Sequence, residues 1–142
     1  MKTNIARFVI LPLTFFVSNA GHIAAAADAS AESVVRAYTA AANQHDLEGF
    51  LALYAPGIRK YRFPGELASE GIEHAREVYT KSFAEKSDIR VEIMDLITLG
   101  DKVMVHDRVT GRPDGKVADE LTVYQVQDGK ITNIVYVEQR VL

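Results

Sequence analysis

The sequence predicts a single α+β domain in which helices cover one face of a meandering antiparallel sheet. Three observations carry this. Apolar residues recur at helical spacing in three segments of the first 85 residues, the period falls to two from Ile89 onward, and Asp128-Gly129 joins the last two alternating runs as a hairpin. Helical stripes followed by a run of strands is the pattern of an α+β fold, not of alternating parallel units.

The first 27 residues stand apart. Lys2 and Arg7 form a short positive region, Phe8 to Val17 is apolar apart from Pro12 and Thr14, and a small-residue stretch ends in Ala24-Ala25-Ala26-Ala27. That order reads as a secretory signal, 1–27, cleaved after Ala27 or alternatively after Ala20. Its apolar run is shorter than the roughly 20 residues a membrane-spanning helix needs. The expected mature domain is 28–142, exported to the periplasm or secreted. Without Lys2 and Arg7 it carries 14 basic and 19 acidic residues, a net charge of −5, with no basic stripe, so no nucleic-acid partner is expected. Cysteine is absent, which excludes disulfides, thiol catalysis and iron–sulfur or Cys-zinc sites.

The elements follow in order. Ser30 caps a helix over Ala31 to Asn43 whose buried stripe is Val34, Val35, Tyr38, Ala41 and Ala42. Asp46 caps a short helix, Leu47 to Tyr54, ended by Pro56-Gly57. Ile58 to Phe63 reads as a short strand, and Pro64-Gly65 as a turn. Ile72, Ala75, Val78, Tyr79 and Phe83 stripe a third helix, Ile72 to Glu85. Strands follow from Ile89, from Lys102 to Thr110, from Lys116 to Gln127 and from Ile131 to Leu142. Alternation slips at Met94-Asp95, where a β-bulge would bend the sheet.

The segments VVRAYTAAANQHDLEGFLALYAPGI, PGELASEGIEHAREVYTKSF, VHDRVTG and QVQDGKITNIVYVE, in this order, resemble the SnoaL-like branch of the nuclear transport factor two-like superfamily, which includes ketosteroid isomerase. The resemblance spans nearly all of Ser33 to Glu138. It implies a cystatin-like cone: a strongly curved antiparallel sheet with about three N-terminal helices closing a pocket, often as a homodimer. In the isomerase a carboxylate base, a tyrosine and a protonated acid act on an enone. The resemblance places these on Tyr38, which is retained, on Arg62 in place of the base, and on Thr122 in place of the acid. Arginine cannot act as a base near neutral pH, so ketosteroid isomerase activity is not expected.

The alternation of VMVHDRVTG puts Val103, Val105, Asp107 and Val109 on one face, and the family register turns that face to the pocket. Asp107 paired with Arg62 would stay ionised and suit binding; unpaired among valines it would have a raised pKa and suit a base; at the rim it would make an ordinary salt bridge. Tyr38 is either a pocket donor or a core tyrosine. Tyr124 and Tyr136, with Thr122 and Glu138, have parities compatible with the pocket. The histidines His22, His45, His74 and His106 lack zinc spacing, so no metal or cofactor is expected.

Three functions stay open. One is binding of a small apolar or amphipathic molecule through Arg62, Asp107, Thr122, Glu138 and the tyrosines. Another is acid–base catalysis with Asp107 as base and Tyr38 as donor. The third is a dimeric structural domain with a filled interior. A carboxylate in an open cavity with no cation in reach would favour the second.

Overall fold

The computed structural model describes residues 29–85 and 88–142. The expected signal segment, 1–27, lies outside them. In chain order the elements are α1 (Ala31–Gln44), α2 (Leu47–Ala52), β1 (Tyr54–Arg62), β2 (Glu66–Glu70), α3 (Ile72–Ala84), β3 (Arg90–Leu99), β4 (Lys102–Thr110), β5 (Ala118–Gln127) and β6 (Lys130–Val141). No helix among the described residues is long and apolar enough to cross a membrane.

Local chemistry sets the helix ends. The Ser30 hydroxyl accepts from the Ser33 amide at 3.1 Å, satisfying one orphan donor of α1. His45 ends α1 in the left-handed conformation, and Asp46 then caps α2 by accepting from the Gly49 amide at 3.0 Å. The two caps are adjacent, so the chain turns sharply and α2 packs back on α1.

The strands form one open six-stranded sheet in the order β2-β1-β6-β5-β4-β3. All neighbours are antiparallel except β1 and β6, which run parallel. That parallel pair corrects the expectation of a simple meander, because the early strand inserts beside the last one. A second correction concerns Tyr54 to Gly57. Tyr54 begins β1 instead of ending α2, and Pro56-Gly57 lie within the strand where its pairing with β6 is interrupted between Tyr54 and Arg59. Proline withholds a ladder donor but is tolerated at such an irregularity. β2, made of Glu-Leu-Ala-Ser-Glu, carries no apolar alternation and was not foreseen; the register on β1 holds it, through Arg59 to Glu70 and Arg62 to Glu66.

The later strands follow the reading closely. β4 has the expected bounds, with Val103, Val105 and Val109 at 0, 0 and 8% exposure on its inner face. The slip at Met94 is a bulge, since Ile93 pairs with Asp107 and Asp95 with His106. Asp128 and Gly129 both take positive φ, 50° and 69°, as a two-residue hairpin turn requires. The inner face packs Val103, Val105, Ile131 and Ile134 against Val34, Val35, Phe50 and Leu51 of the helices. Beside this core, a cavity remains between α1, α3 and the sheet.

Candidate functional site

The cavity has a volume of about 250 Å³ and lies between α1, α3 and the inner faces of β4, β5 and β6. Its walls are mostly aromatic. Phe50 of α2 is the hub, with ring centroids 4.4 Å from Tyr38, 4.6 Å from Tyr79 and 5.3 Å from both Tyr54 and Phe83. Five residues singled out from the sequence line this space: Tyr38, Asp107, Thr122, Tyr124 and Tyr136.

Asp107 is the carboxylate on the cavity wall's valine-rich strand. It is 4% exposed, and its Oδ1 has no hydrogen-bond partner among the described residues. Burial pushes its pKa up, the Glu120 carboxylate adds to the rise, and His106 opposes it; the result is about 6. Glu120 stands opposite Asp107 on β5 and also lines the cavity.

The expected alternative of an Arg62–Asp107 pair is corrected. Arg62 is the last residue of β1, its side chain is 64% exposed, and its guanidinium lies 3.7 Å from Glu66 across the turn to β2. Arg62 and Glu138 instead line an adjoining outer groove of about 490 Å³, which shares Glu120, Thr122 and Tyr136 with the inner cavity. Glu138 misses the cavity because a bulge follows Tyr136: Tyr136 pairs with Thr122, but Glu138 pairs with Leu121 and loses the inward parity.

The Tyr38 hydroxyl lies 2.8 Å from the Tyr54 hydroxyl, and burial pushes both phenols well above their ordinary range. Behind them sits a group that sequence reasoning passed over. Lys60 of β1 is 7% exposed, donates from Nζ to the Tyr79 hydroxyl at 3.0 Å, and lies over the rings of Tyr54 and Tyr79, 4.8 and 4.4 Å from their centroids. Burial alone would raise the Tyr79 pKa. The charge and hydrogen bond of Lys60, with hydrogen bonding from Tyr54 and Tyr38, outweigh it and bring Tyr79 below the ordinary value. The signal was available in part, because Lys60 shares strand parity with Arg62 and Tyr79 lies on the apolar stripe of α3.

Among the described residues no group of three His, Cys, Asp or Glu side chains is arranged to hold a metal. The site itself comprises a buried carboxylate on β4, a tyrosine cluster backed by the buried Lys60, and an apolar space.

The fold is shared with solved structures. A cystatin-fold protein from Novosphingobium aromaticivorans is 23% identical, with a TM-score of 0.69 over 77% of this chain and 98% of that one. An LEH-like epoxide hydrolase from Mycobacterium tuberculosis is 17% identical, with a TM-score of 0.64 over 75% of this chain and 80% of that one. A SnoaL-like protein from Burkholderia thailandensis is 21% identical, with a TM-score of 0.60 over 79% and 93%. No curated protein matches the sequence. The sequence pattern of the SnoaL-like domain matches residues 35–134, and the chain belongs to the SnoaL-like family.

Proposed function

We propose that this protein is an acid–base enzyme that moves a proton on a small, largely apolar carbonyl compound, with Asp107 as the general base. The observation that carries the reading is the unpartnered, buried Asp107 carboxylate facing an aromatic cavity with no cation paired to it. A structural carboxylate in such a place would be hydrogen-bonded or ion-paired. A base whose pKa lies near 6 is ionised at neutral pH and still basic enough to take a proton from an activated carbon.

Asp107 takes a proton from the carbon next to the carbonyl. The C–H electron pair becomes a C=C bond and the carbonyl π pair moves to oxygen. A tyrosine hydroxyl of the cavity lining, Tyr38 being the one anticipated from the family, donates to that oxyanion. The enolate pair then takes the proton back from Asp107 at the same carbon, or, where a further C=C makes the intermediate a dienolate, at its γ-carbon. The base sits on β4 and not at the β1 position taken by Arg62, so the reacting carbon lies elsewhere than in ketosteroid isomerase-like enzymes, and that activity is not proposed. The cavity is below the roughly 300 Å³ typical of drug-sized ligands, which favours a small compound or the apolar end of a longer one. That the fold carries an epoxide hydrolase in Mycobacterium tuberculosis supports an enzyme reading over a purely structural one.

Hydrogen exchange tests this directly. A panel of apolar ketones incubated with the protein in D2O is followed by proton NMR. At least one should lose its α-proton signal with wild type, and Asp107→Asn should slow that loss about 10²-fold or more. Equal rates in the two proteins would remove Asp107 from the chemistry.

A further inference from the structure

The hydroxyl of Tyr38 shares a hydrogen bond with that of Tyr54, a residue that is 2% exposed and lies outside the cavity lining. Tyr79 is placed differently. Its ring lines the inner cavity, and it also borders a second, outer recess of about 230 Å³ lined by Lys60, Arg62 and His74. Lys60 approaches Tyr79 from that outer side and donates to its hydroxyl oxygen. An ammonium group has donors only, so the oxygen of Tyr79 must accept and its own proton is left to donate elsewhere. None of the described ion pairs involves Lys60, and its stem and head are held between two tyrosine rings. A buried cation without a carboxylate is costly, and it is retained here against one phenol.

We propose that Tyr79 is the catalytic hydrogen-bond donor to the substrate oxyanion, and that Lys60 is a positioning residue which fixes the direction of the Tyr79 proton and strengthens its donation. This rests on the acid–base reading, and it replaces Tyr38 with Tyr79 as the donor across the cavity from Asp107. It also assigns the substrate end: the carbonyl oxygen lies toward α3 and the acidic carbon toward β4. The groups facing Tyr79 are Lys60 and Tyr54 from β1, Tyr38 from α1, Tyr124 from β5 and Tyr136 from β6, with Arg62 and His74 bordering the outer recess. Of these only the lysine donates a charged hydrogen bond to its oxygen.

Two measurements on the whole protein decide it, neither of which needs turnover. In a tyrosinate absorbance titration, the earliest-ionising tyrosine should vanish in Tyr79→Phe, move to higher pH in Lys60→Met, and persist in Lys60→Arg and Asp107→Asn. In a binding titration with 2-naphthol, an aromatic hydroxyl probe whose anion mimics an enolate, Tyr79→Phe and Lys60→Met should weaken affinity about tenfold. Tyr38→Phe should weaken it less than about twofold by the same comparison. Near-ultraviolet circular dichroism checks that each variant is folded, and Lys60→Arg supplies a charge-preserving variant if Lys60→Met is not. An early phase that survives Tyr79→Phe, or naphthol losses equal in Tyr38→Phe and Tyr79→Phe, overturns the proposal. Failure of the Asp107 reading shows separately, as exchange that is indifferent to Asp107→Asn while both Tyr79 results stand.

Discussion

Asp107 and Glu120 stand directly opposite one another across β4 and β5, two acidic side chains paired in register on the wall of one cavity. Like charges at such positions repel, and the Glu120 charge disfavours ionisation of Asp107. Glu120 is steadied by Gln139, which donates to its Oε1 at 2.5 Å. Burial is the larger cause of the rise in Asp107 from 3.8 to about 6, and the Glu120 charge is the smaller one. Glu120→Gln should therefore lower the Asp107 pKa yet leave it above the ordinary carboxylate value, because burial remains. Carbon-13 NMR of the aspartate carboxyls reads this directly. An unchanged midpoint would mean that the Glu120 charge is not felt at Asp107.

The raised pKa of Asp107 also makes a prediction about stability. Its folded value, about 6, lies above its unfolded value near 3.8. Between these two pH values the folded chain holds a proton that the unfolded chain has released. Stability is therefore greatest below about pH 4 as far as this group is concerned, and it falls as pH rises through 6. The loss is on the order of 3 kcal/mol. Asp107→Asn cannot ionise and should not show it, so the difference in urea stability between variant and wild type should grow in favour of the variant from acid to neutral pH. Parallel curves would show that Asp107 is solvated or paired in solution.

Export is a separate proposal, resting on Lys2, Arg7, the apolar run Phe8 to Val17 and the alanines before Asp28. Expressed with its full sequence in a Gram-negative host, the protein should be recovered from the periplasmic fraction with an intact mass that begins at Asp28, or at Gly21 if cleavage follows Ala20. Full-length protein confined to the cytoplasm would count against it.

How much of this was legible in the sequence depends on whether a feature is written in local pattern. The strand Lys102 to Thr110 and the common face of Val103, Val105, Asp107 and Val109 were readable from a side-chain period of two, and the resemblance to the family turned that face inward. The Asp128-Gly129 hairpin and the Met94 bulge were readable for the same local reason. β2 was not, since its five residues carry no apolar alternation and are held by pairing to β1 alone. The parallel β1–β6 pair depends on residues far apart in sequence. At the site, Thr122, Tyr124 and Tyr136 reach the cavity as their parities implied and Tyr38 as its family position implied, whereas Glu138 does not, because a one-residue bulge reverses its face. Lys60 was hidden for a different reason: a lysine on a strand reads as solvated, and only the rings of Tyr54 and Tyr79, brought from β1 and α3, make it a buried cation.

The outer face of the sheet bears on the expected homodimer. Ile97, Met104, Val123 and Val135 are consecutive partners across β3, β4, β5 and β6, so they form one apolar row; Ile97 and Met104 are 61% and 41% exposed. We propose that a second copy covers this row. Light scattering coupled to size exclusion should give a dimer mass, and Met104→Glu in the middle of the row should shift it toward monomer. A wild type that is monomeric at high concentration would leave the row as ordinary exposed surface.

The cavity mouth depends on a side chain that imitates a strand. β3 is an edge of the sheet, and Asn43 of α1 fills the vacant side at Val91: its Nδ2 donates to the Val91 carbonyl at 2.8 Å, and its Oδ1 accepts from the Val91 amide at 2.8 Å. Both residues line the cavity, so this two-point clasp ties the helix to the sheet beside the space where ligand would sit. Asn43→Ala removes both bonds and should cost about 1–3 kcal/mol, since a half-buried amide and carbonyl lose their partner. Asn43→Asp keeps an acceptor for the amide but offers the carbonyl no donor, so it should fall between the two. If the clasp also holds the wall in place, 2-naphthol should leave Asn43→Ala faster than wild type in stopped-flow displacement, with a smaller change in its rate of entry. A variant with wild-type urea midpoint and unchanged release would show that α1 is held by its apolar stripe, Val34 and Val35, without help from the clasp.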